Sequence, residues 1–410
     1  MTEQTNTPEL RFPEFKKEWK EYQFQTHLSK IETGTNKLGS EDFLGLPLLK
    51  MGNIQRGNFS FNKLEKLKKD EVVNKEHLIQ NKDFLFNTRN TMELVGKSAT
   101  WRGESNKFAF NSNIARLTLE NMDTVFFNYL YNTPKLIHKV KSLAVGTTSV
   151  AAIYPRDLKK LKYFIPIFDE QLKIGEFFSK LDRQIELEEE KLELLEQQKR
   201  GYMQKIFSQT LRFKDEEDNV YPDWIRTKLI NIVTPLKGQD DNITNLPILT
   251  ISASRGWLNQ KERFSQVIAG NSLKKYTQVK KNDLSYNKGN SKVAKYGIVF
   301  RLKNEALVPN VYKSFRPNEN IDSIFIEKYF HNKTLDKQLR TRITSTARTD
   351  GLLNISDQDF YDIKLYIPIL QEQTKIADFL NKLDKLIEKQ SSKVELLKQR
   401  KQGLLQKMFV

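Results

Sequence analysis

Ile165-Pro166-Ile167-Phe168-Asp169-Glu170-Gln171 and Ile367-Pro368-Ile369-Leu370-Gln371-Glu372-Gln373 are one motif written twice in a single chain, 367 − 165 = 202 residues apart. Downstream, Lys199, Gly201, Gln204, Lys205 and Phe207 return at the same offset as Lys401, Gly403, Gln406, Lys407 and Phe409. Upstream the match is looser. Leu46-Pro47-Leu48-Leu49 corresponds to Leu246-Pro247-Ile248-Leu249, and Asp83-Phe84-Leu85-Phe86-Asn87 corresponds to Asp283-Leu284-Ser285-Tyr286-Asn287 at an offset of 200. Each half opens alike, with Leu10-Arg11-Phe12 before Trp19 and Leu211-Arg212-Phe213 before Trp224. A long internal repeat of this kind means two copies of one fold.

The order is therefore globular domain, long helix, globular domain, long helix, an α+β class. The expected boundaries are an N-terminal arm over 1–20, a first globular domain over 21–164 and a first helix over 165–208. A linker over 209–225, a second globular domain over 226–366 and a second helix over 367–410 complete the chain. In the first helix Ile174, Phe178, Leu181, Ile185, Leu192 and Leu195, with Glu188 between the fourth and fifth, step by fours and threes, the a/d rhythm of a coiled coil. The second repeats it with Ile376, Leu380, Leu383, Ile387, Val394 and Leu397, and its polar interruptions Gln390 and Lys401 align with Glu188 and Lys199. Neither seam has a partner nearby in sequence. Two matched seams pack most simply on each other, and the repeat order makes the pair antiparallel.

The chain has 410 residues, with 68 Lys plus Arg against 51 Asp plus Glu, a formal excess of 17. Such a balance favours a polyanionic partner. No cysteine occurs, which excludes disulfides, thiolate catalysis and Cys-ligated zinc and suits a reducing cytoplasm. No apolar run approaches the roughly 18 residues of a membrane span, so no membrane association is expected. The four histidines are scattered without metal-ligand spacing. Val95-Gly96-Lys97-Ser98 resembles the end of a phosphate-binding loop, but Thr91 stands where the first glycine belongs. No catalytic residue and no metal site is expected.

Between Arg255 and Arg348 there are 20 basic residues against 7 acidic ones, a phosphate-tracking density; between Lys37 and Glu120 the count is 14 against 10. Base edges are read by Arg or Lys at guanine and by Asn or Gln at adenine. Candidate contacts in the first domain are Arg56, Asn87, Arg89, Asn90, Lys97, Arg102, Thr147, Thr148 and Ser149. In the second they are Arg255, Asn287, Lys288, Asn290, Lys292, Lys295, Arg340, Arg342, Thr344 and Arg348. Trp101, Tyr286 and Trp257 have rings able to stack on a base, although aromatics at such spacing usually belong to the core. The residues alone leave open a carboxylate-based nuclease or methyltransferase, and a coiled-coil adaptor for RNA or another acidic partner.

The duplicated Ile-Pro-x-x-x-Glu-Gln helix start, the two-fold repeat and the Gly-x-x-Gln-Lys-x-Phe helix end closely resemble the specificity (S, or HsdS) subunits of type I restriction-modification enzymes, systems of phage defence. The resemblance covers essentially the whole chain. It implies a non-catalytic subunit whose two target recognition domains each read half of a bipartite target on double-stranded DNA. It further implies that the helices set the spacer length and dock two methyltransferase (M) subunits. S-adenosylmethionine, ATP and Mg would belong to the M and restriction (R) subunits, with no cofactor in this chain. Phe177, Phe379, Lys205 and Lys407 are the helix residues expected to face the M subunits.

Overall fold

The computed structural model describes residues 6–239, 246–263, 275–289, 294–343 and 353–410. The chain divides into two compact units, one built from residues 1–189 and 392–410, the other from residues 190–391. Each long helix, Phe168–Phe207 and Leu370–Met408, therefore gives one stretch to each unit.

Each unit contains the same four-stranded antiparallel sheet. In the first the order is Leu28–Thr33, Ile114–Leu119, Phe84–Asn87 and Ser98–Thr100. In the second it is Val233–Leu236, Lys313–Pro317, Leu284–Asn287 and Ile298–Arg301. The middle strand is buried on both faces in the first unit, which is why Phe84-Leu85-Phe86 reads as an uninterrupted apolar run. A helix covers each sheet, Thr124–Tyr131 in the first unit and Ser323–His331 in the second. A two-stranded ribbon then leads into each long helix: Lys20–Gln23 with Lys162–Ile165, and Ile225–Lys228 with Lys364–Ile367.

The repeated Glu-Gln motif is the hub of each unit. Gln171 accepts from the Asp123 backbone N–H at 3.1 Å and donates to the Pro166 carbonyl at 3.0 Å. Gln373 accepts from the Asp322 N–H at 2.9 Å and donates to the Pro368 carbonyl at 2.9 Å. Asp123 and Asp322 are in turn the N-caps of the covering helices, accepting from Phe126 and Phe325. The helix passes close to this junction, where a Cβ at Gly175 would lie 3.0 Å from Asp123 Oδ1; Ala377 holds the corresponding place in the other unit, so the second junction accommodates a methyl group.

Glu170 and Glu372 are fully buried in the first turn of their helices. Arg11 donates to both oxygens of Glu170 at 2.7 and 2.6 Å, and Arg212 to both oxygens of Glu372 at 2.8 and 2.9 Å. The indole N–H of Trp19 reaches Glu170 at 3.4 Å, and that of Trp224 reaches Glu372 at 3.1 Å. Each carboxylate raises the pKa of its arginine through these hydrogen bonds, against the opposing effect of burial. The arm before the first domain and the linker before the second thus dock in the same way.

The seams meet antiparallel inside each unit. In the first, Ile174 and Phe178 pack with Met408 and Phe409, and Lys401 pairs with Asp182 at 2.5 Å. In the second, Ile376 and Leu380 pack with Met203, Ile206 and Phe207, and Lys199 pairs with Asp384. Lys328 also reaches Asp384, at 2.5 Å. The polar seam positions Lys199 and Lys401 are therefore matched by carboxylates. A Phe at the end of the first helix and one just past the end of the second each plug a core: Phe409 lies 5.6 Å from Phe126, and Phe207 lies 5.8 Å from Phe325.

Replacing Glu372 with Ala leaves Arg212 and Trp224 without their shared acceptor, and the second unit should lose about 3–5 kcal/mol, the usual cost of breaking one side of a buried pair. Chemical unfolding monitored by tryptophan fluorescence measures this, and an exposed control such as Glu388→Ala should move stability by no more than about 0.5 kcal/mol. A second outcome concerns acid. Burial lowers the pKa of His27 and of His331, whose Nε2 lies 2.7 Å from the Val299 carbonyl. A folded pKa below the unfolded value of about 6.5 contributes stability above that pH, lost as pH falls through the folded value. The unfolding free energy should therefore decline from pH 7.5 to 5.5, and His331→Gln should flatten that decline.

Candidate nucleic-acid interface

In the first unit, Val145–Gly146 and Ala151–Ala152 form a hairpin whose second strand pairs with Arg89–Asn90. The register sets Val145, Ala152 and Arg89 on one face, and Gly146, Ala151 and Asn90 on the other. Ala151 is buried, so the face carrying Arg89 points outward. Gly146 has φ +139°, and a Cβ there would meet the Val150 carbonyl oxygen at 2.3 Å; the tight hairpin needs a glycine. The exposed tip is Thr147, Thr148 and Ser149, with the Thr147 and Ser149 hydroxyls 3.2 Å apart. A segment 58 positions from Arg89 in sequence is thus brought beside it.

Arg56 and Lys97 form a second basic feature. Arg56 donates to the Glu93 carbonyl at 3.2 Å, and Lys97 to Gln55 Oε1 at 2.7 Å. Burial lowers the pKa of Arg56; burial and then the charge of Arg56 lower that of Lys97, with only the Glu93 charge opposing. Two cations held together at an electrostatic cost favour an anion such as phosphate.

Several expected contacts are occupied elsewhere. Asn87 is fully buried and donates to the Met51 carbonyl at 3.0 Å, while Asn287 donates to the Ile251 carbonyl at 3.2 Å. Both amides pin the equivalent loop in their units. Asn90 accepts from the Thr91 N–H at 2.8 Å. Arg102 donates to the Tyr129 hydroxyl at 2.8 Å beside Asp182, and so belongs to the base of the long helix. Trp101 and Tyr286 are core residues, and Trp257 donates its N–H to the Arg301 carbonyl at 3.1 Å.

In the second unit Arg255 sits exposed in the turn between Leu249–Ser252 and Gly256–Asn259. Lys295 is exposed beside the Tyr296 ring, and Arg340 is exposed on Asp336–Arg342. Arg342 donates to the Gln338 carbonyl at 3.3 Å, and the backbone of Lys288 accepts from Leu353 at 2.8 Å. Asn290, Lys292, Thr344 and Arg348 lie outside the described residues. Among the described residues, no group of three or more His, Asp or Glu could hold a metal ion, and no helix is long and apolar enough to cross a membrane.

The expected docking residues on the helices are also partly covered. Phe177 packs edge-on against Phe12 at 5.8 Å, and Phe379 against Phe213 at 5.6 Å. Lys407 is held by Glu9 at 2.6 Å. One structural pair escaped the sequence reading: Arg116 donates to Asp83 at 3.2 Å, and Arg316 to Asp283 at 2.7 and 2.8 Å. The signal was present, because both arginines and both aspartates repeat at an offset of 200.

A family model described as "Type I restriction modification DNA specificity domain" matches residues 21–197 and 227–397. A putative type I restriction enzyme MjaX specificity subunit from Methanocaldococcus jannaschii is 23% identical over 424 residues, covering 98% of this chain and 95% of the relative. The type I restriction enzyme MjaVIII specificity subunit of the same organism is 24% identical over 367 residues, covering 82% and 83%. The crystal structure of an S subunit from M. genitalium superposes with a TM-score of 0.60 at 16% identity, over 98% of this chain and 99% of that one. A chain from work on complex assembly and conformational transition of the type I R-M system gives 0.52 at 13% identity, over 95% and 97%. These likenesses cover the repeat from end to end, and the chain belongs to the type I restriction-modification DNA specificity family.

Proposed function

We propose that this chain is the DNA-specificity subunit of a cytoplasmic type I restriction-modification complex, reading a bipartite target and performing no chemistry itself. The observation that carries the reading is one scaffold built twice with different exposed residues: Asn87 and Asn287 pin equivalent loops, yet exposed Arg89 in the first corresponds to Gly289 in the second. Residues 21–164 and 226–366 are the two readers. In the first, Arg89 and the Thr147 to Ser149 tip face the duplex, with Arg56 and Lys97 on phosphate. In the second, Arg255, Lys295 and Arg340 supply the contacts. The long helices carry two M subunits, which bind S-adenosylmethionine and methylate adenine. R subunits add cleavage driven by ATP and Mg.

The helices also determine how many base pairs go unread. Coexpression with the M subunit, followed by mapping of methylated adenine across a genome, should give one motif of two short elements separated by a fixed gap. Methylation without a motif would leave a basic adaptor as the better reading. Inserting one heptad into each helix at matched positions preserves the seam and adds about 10 Å. The methylated motif should then keep both elements and gain about three unread base pairs, at ~3.4 Å per base pair.

A further inference from the structure

The ribbon of the first unit carries apolar side chains on the face that meets solvent. Val145 lies opposite Ala152, and the Thr147 N–H donates to the Val150 carbonyl at 2.8 Å, which sets Val150 opposite Thr147. Alternation along each strand therefore puts Val145, Thr147, Val150 and Ala152 on the face that also holds Arg89. Burial follows the same alternation: Ala151 and Ile153 are buried, whereas Val150 is 67% exposed and Val145 59% exposed. The two valines form a diagonal cross-strand pair, with backbones roughly 7–8 Å apart. Strand preference alone does not call for valine at either place. Thr147, on the same face, is β-branched and polar, and threonine satisfies the backbone without leaving two methyl groups in water.

Charge and shape indicate what covers this face. Over residues 124–156 the sequence holds four basic residues, Lys135, Lys139, Lys141 and Arg156, and no Asp or Glu. Lys139 and Lys141 stand in the last turn of Pro134–Ser142, the helix that feeds the hairpin. Arg89 adds a cation on the face itself. An apolar strip in so basic a setting suits a surface that is polyanionic outside and offers apolar groups within. The major groove of B-DNA is such a surface: it admits a two-stranded β-ribbon between its phosphate walls, and the apolar group it presents is the 5-methyl of thymine. In the same groove arginine pairs with O6 and N7 of guanine.

We propose that the hairpin over 145–152 lies with this face in the major groove, where Val145 and Val150 each read the 5-methyl group of one thymine beside a guanine taken by Arg89. The element read by the first unit then contains thymine, and methyl contact carries part of its recognition. This deepens the specificity-subunit reading and rests on it.

The test is methylation of synthetic duplexes by the full chain coexpressed with its M subunit, with deoxyuridine replacing each thymidine of the mapped target in turn. Uracil keeps the hydrogen-bonding groups of thymine and lacks only the methyl. With the wild-type chain, uracil at each of two positions in one element should lower kcat/KM about fourfold, the worth of one buried methyl group. Val145→Ser should abolish the dependence at one of these positions and Val150→Ser at the other, with the second element read as before. Both valines are exposed, so thermal unfolding of the chain should not change. A wild-type complex indifferent to every uracil, or a uracil effect that survives both serine variants, would overturn the valine contacts. So would loss of an M subunit from the serine variants in native mass spectrometry, which would make the face a protein contact. In those cases methylation of a bipartite motif by the wild-type complex leaves the specificity reading standing. Wild-type methylation without a motif would remove the reading and the valine contacts together.

Discussion

The rest of the structure depends on a buried carboxylate at the start of each long helix. Glu170 and Glu372 sit where the helix dipole favours negative charge, but removal from water would be prohibitive without full compensation. The arginine fork satisfies both oxygens and the tryptophan N–H adds a third donor. Apolar replacements of such pairs are often neutral or stabilising, so what this pair contributes is geometry. A planar fork admits one orientation of the incoming chain. The two partners lie 159 residues apart in the first unit and 160 in the second, one on either side of a recognition domain. Each domain is therefore closed at its base by a single charged clasp, and what lies between can differ without disturbing the clasp.

The repeat made the architecture legible. The two helix starts, the seams and their antiparallel order followed from spacing alone, because a/d positions and a fixed offset are local signals. The partners of repeated polar residues were harder to read. Lys199 and Lys401 stood out as interruptions of the seam, yet the carboxylates that match them, Asp384 and Asp182, lie on the other helix. Phe177 and Phe379 read as open docking positions because the rings that cover them, Phe12 and Phe213, come from the arm and the linker. Side chains closed by remote segments look exposed in a one-dimensional reading.

The candidate interface was legible as a set of loops and poorly legible residue by residue. Asn87 and Arg89 stand two positions apart and suggested the same role. A strand end turns Asn87 inward to the Met51 carbonyl, while Arg89 enters a separate ribbon whose outer face is set by its register with Ala152. Nothing local in Asn-Thr-Arg-Asn announces that division. The placing of Arg89 on one ribbon with the Thr147 to Ser149 tip depends on the hairpin, and that hairpin depends on the close approach permitted at Gly146.

This division of labour carries a consequence for how such a chain changes its target. Residues that hold the backbone are bonded inward in both units: Asn87 and Asn287 to loop carbonyls, and the buried carboxylates Asp83 and Asp283 to Arg116 and Arg316, of which Arg116 is itself buried and Arg316 exposed. Removing one partner of a buried, satisfied group costs on the order of 1–3 kcal/mol, enough to threaten a marginally stable domain. Exposed positions such as Arg89 or Arg255 carry no such obligation, and surface substitutions usually stay within about 0.5 kcal/mol. The same physics that makes the loop frame rigid makes its outward side chains replaceable. The chain already contains the demonstration, since exposed Arg89 and half-buried Gly289 occupy equivalent places on equally pinned loops.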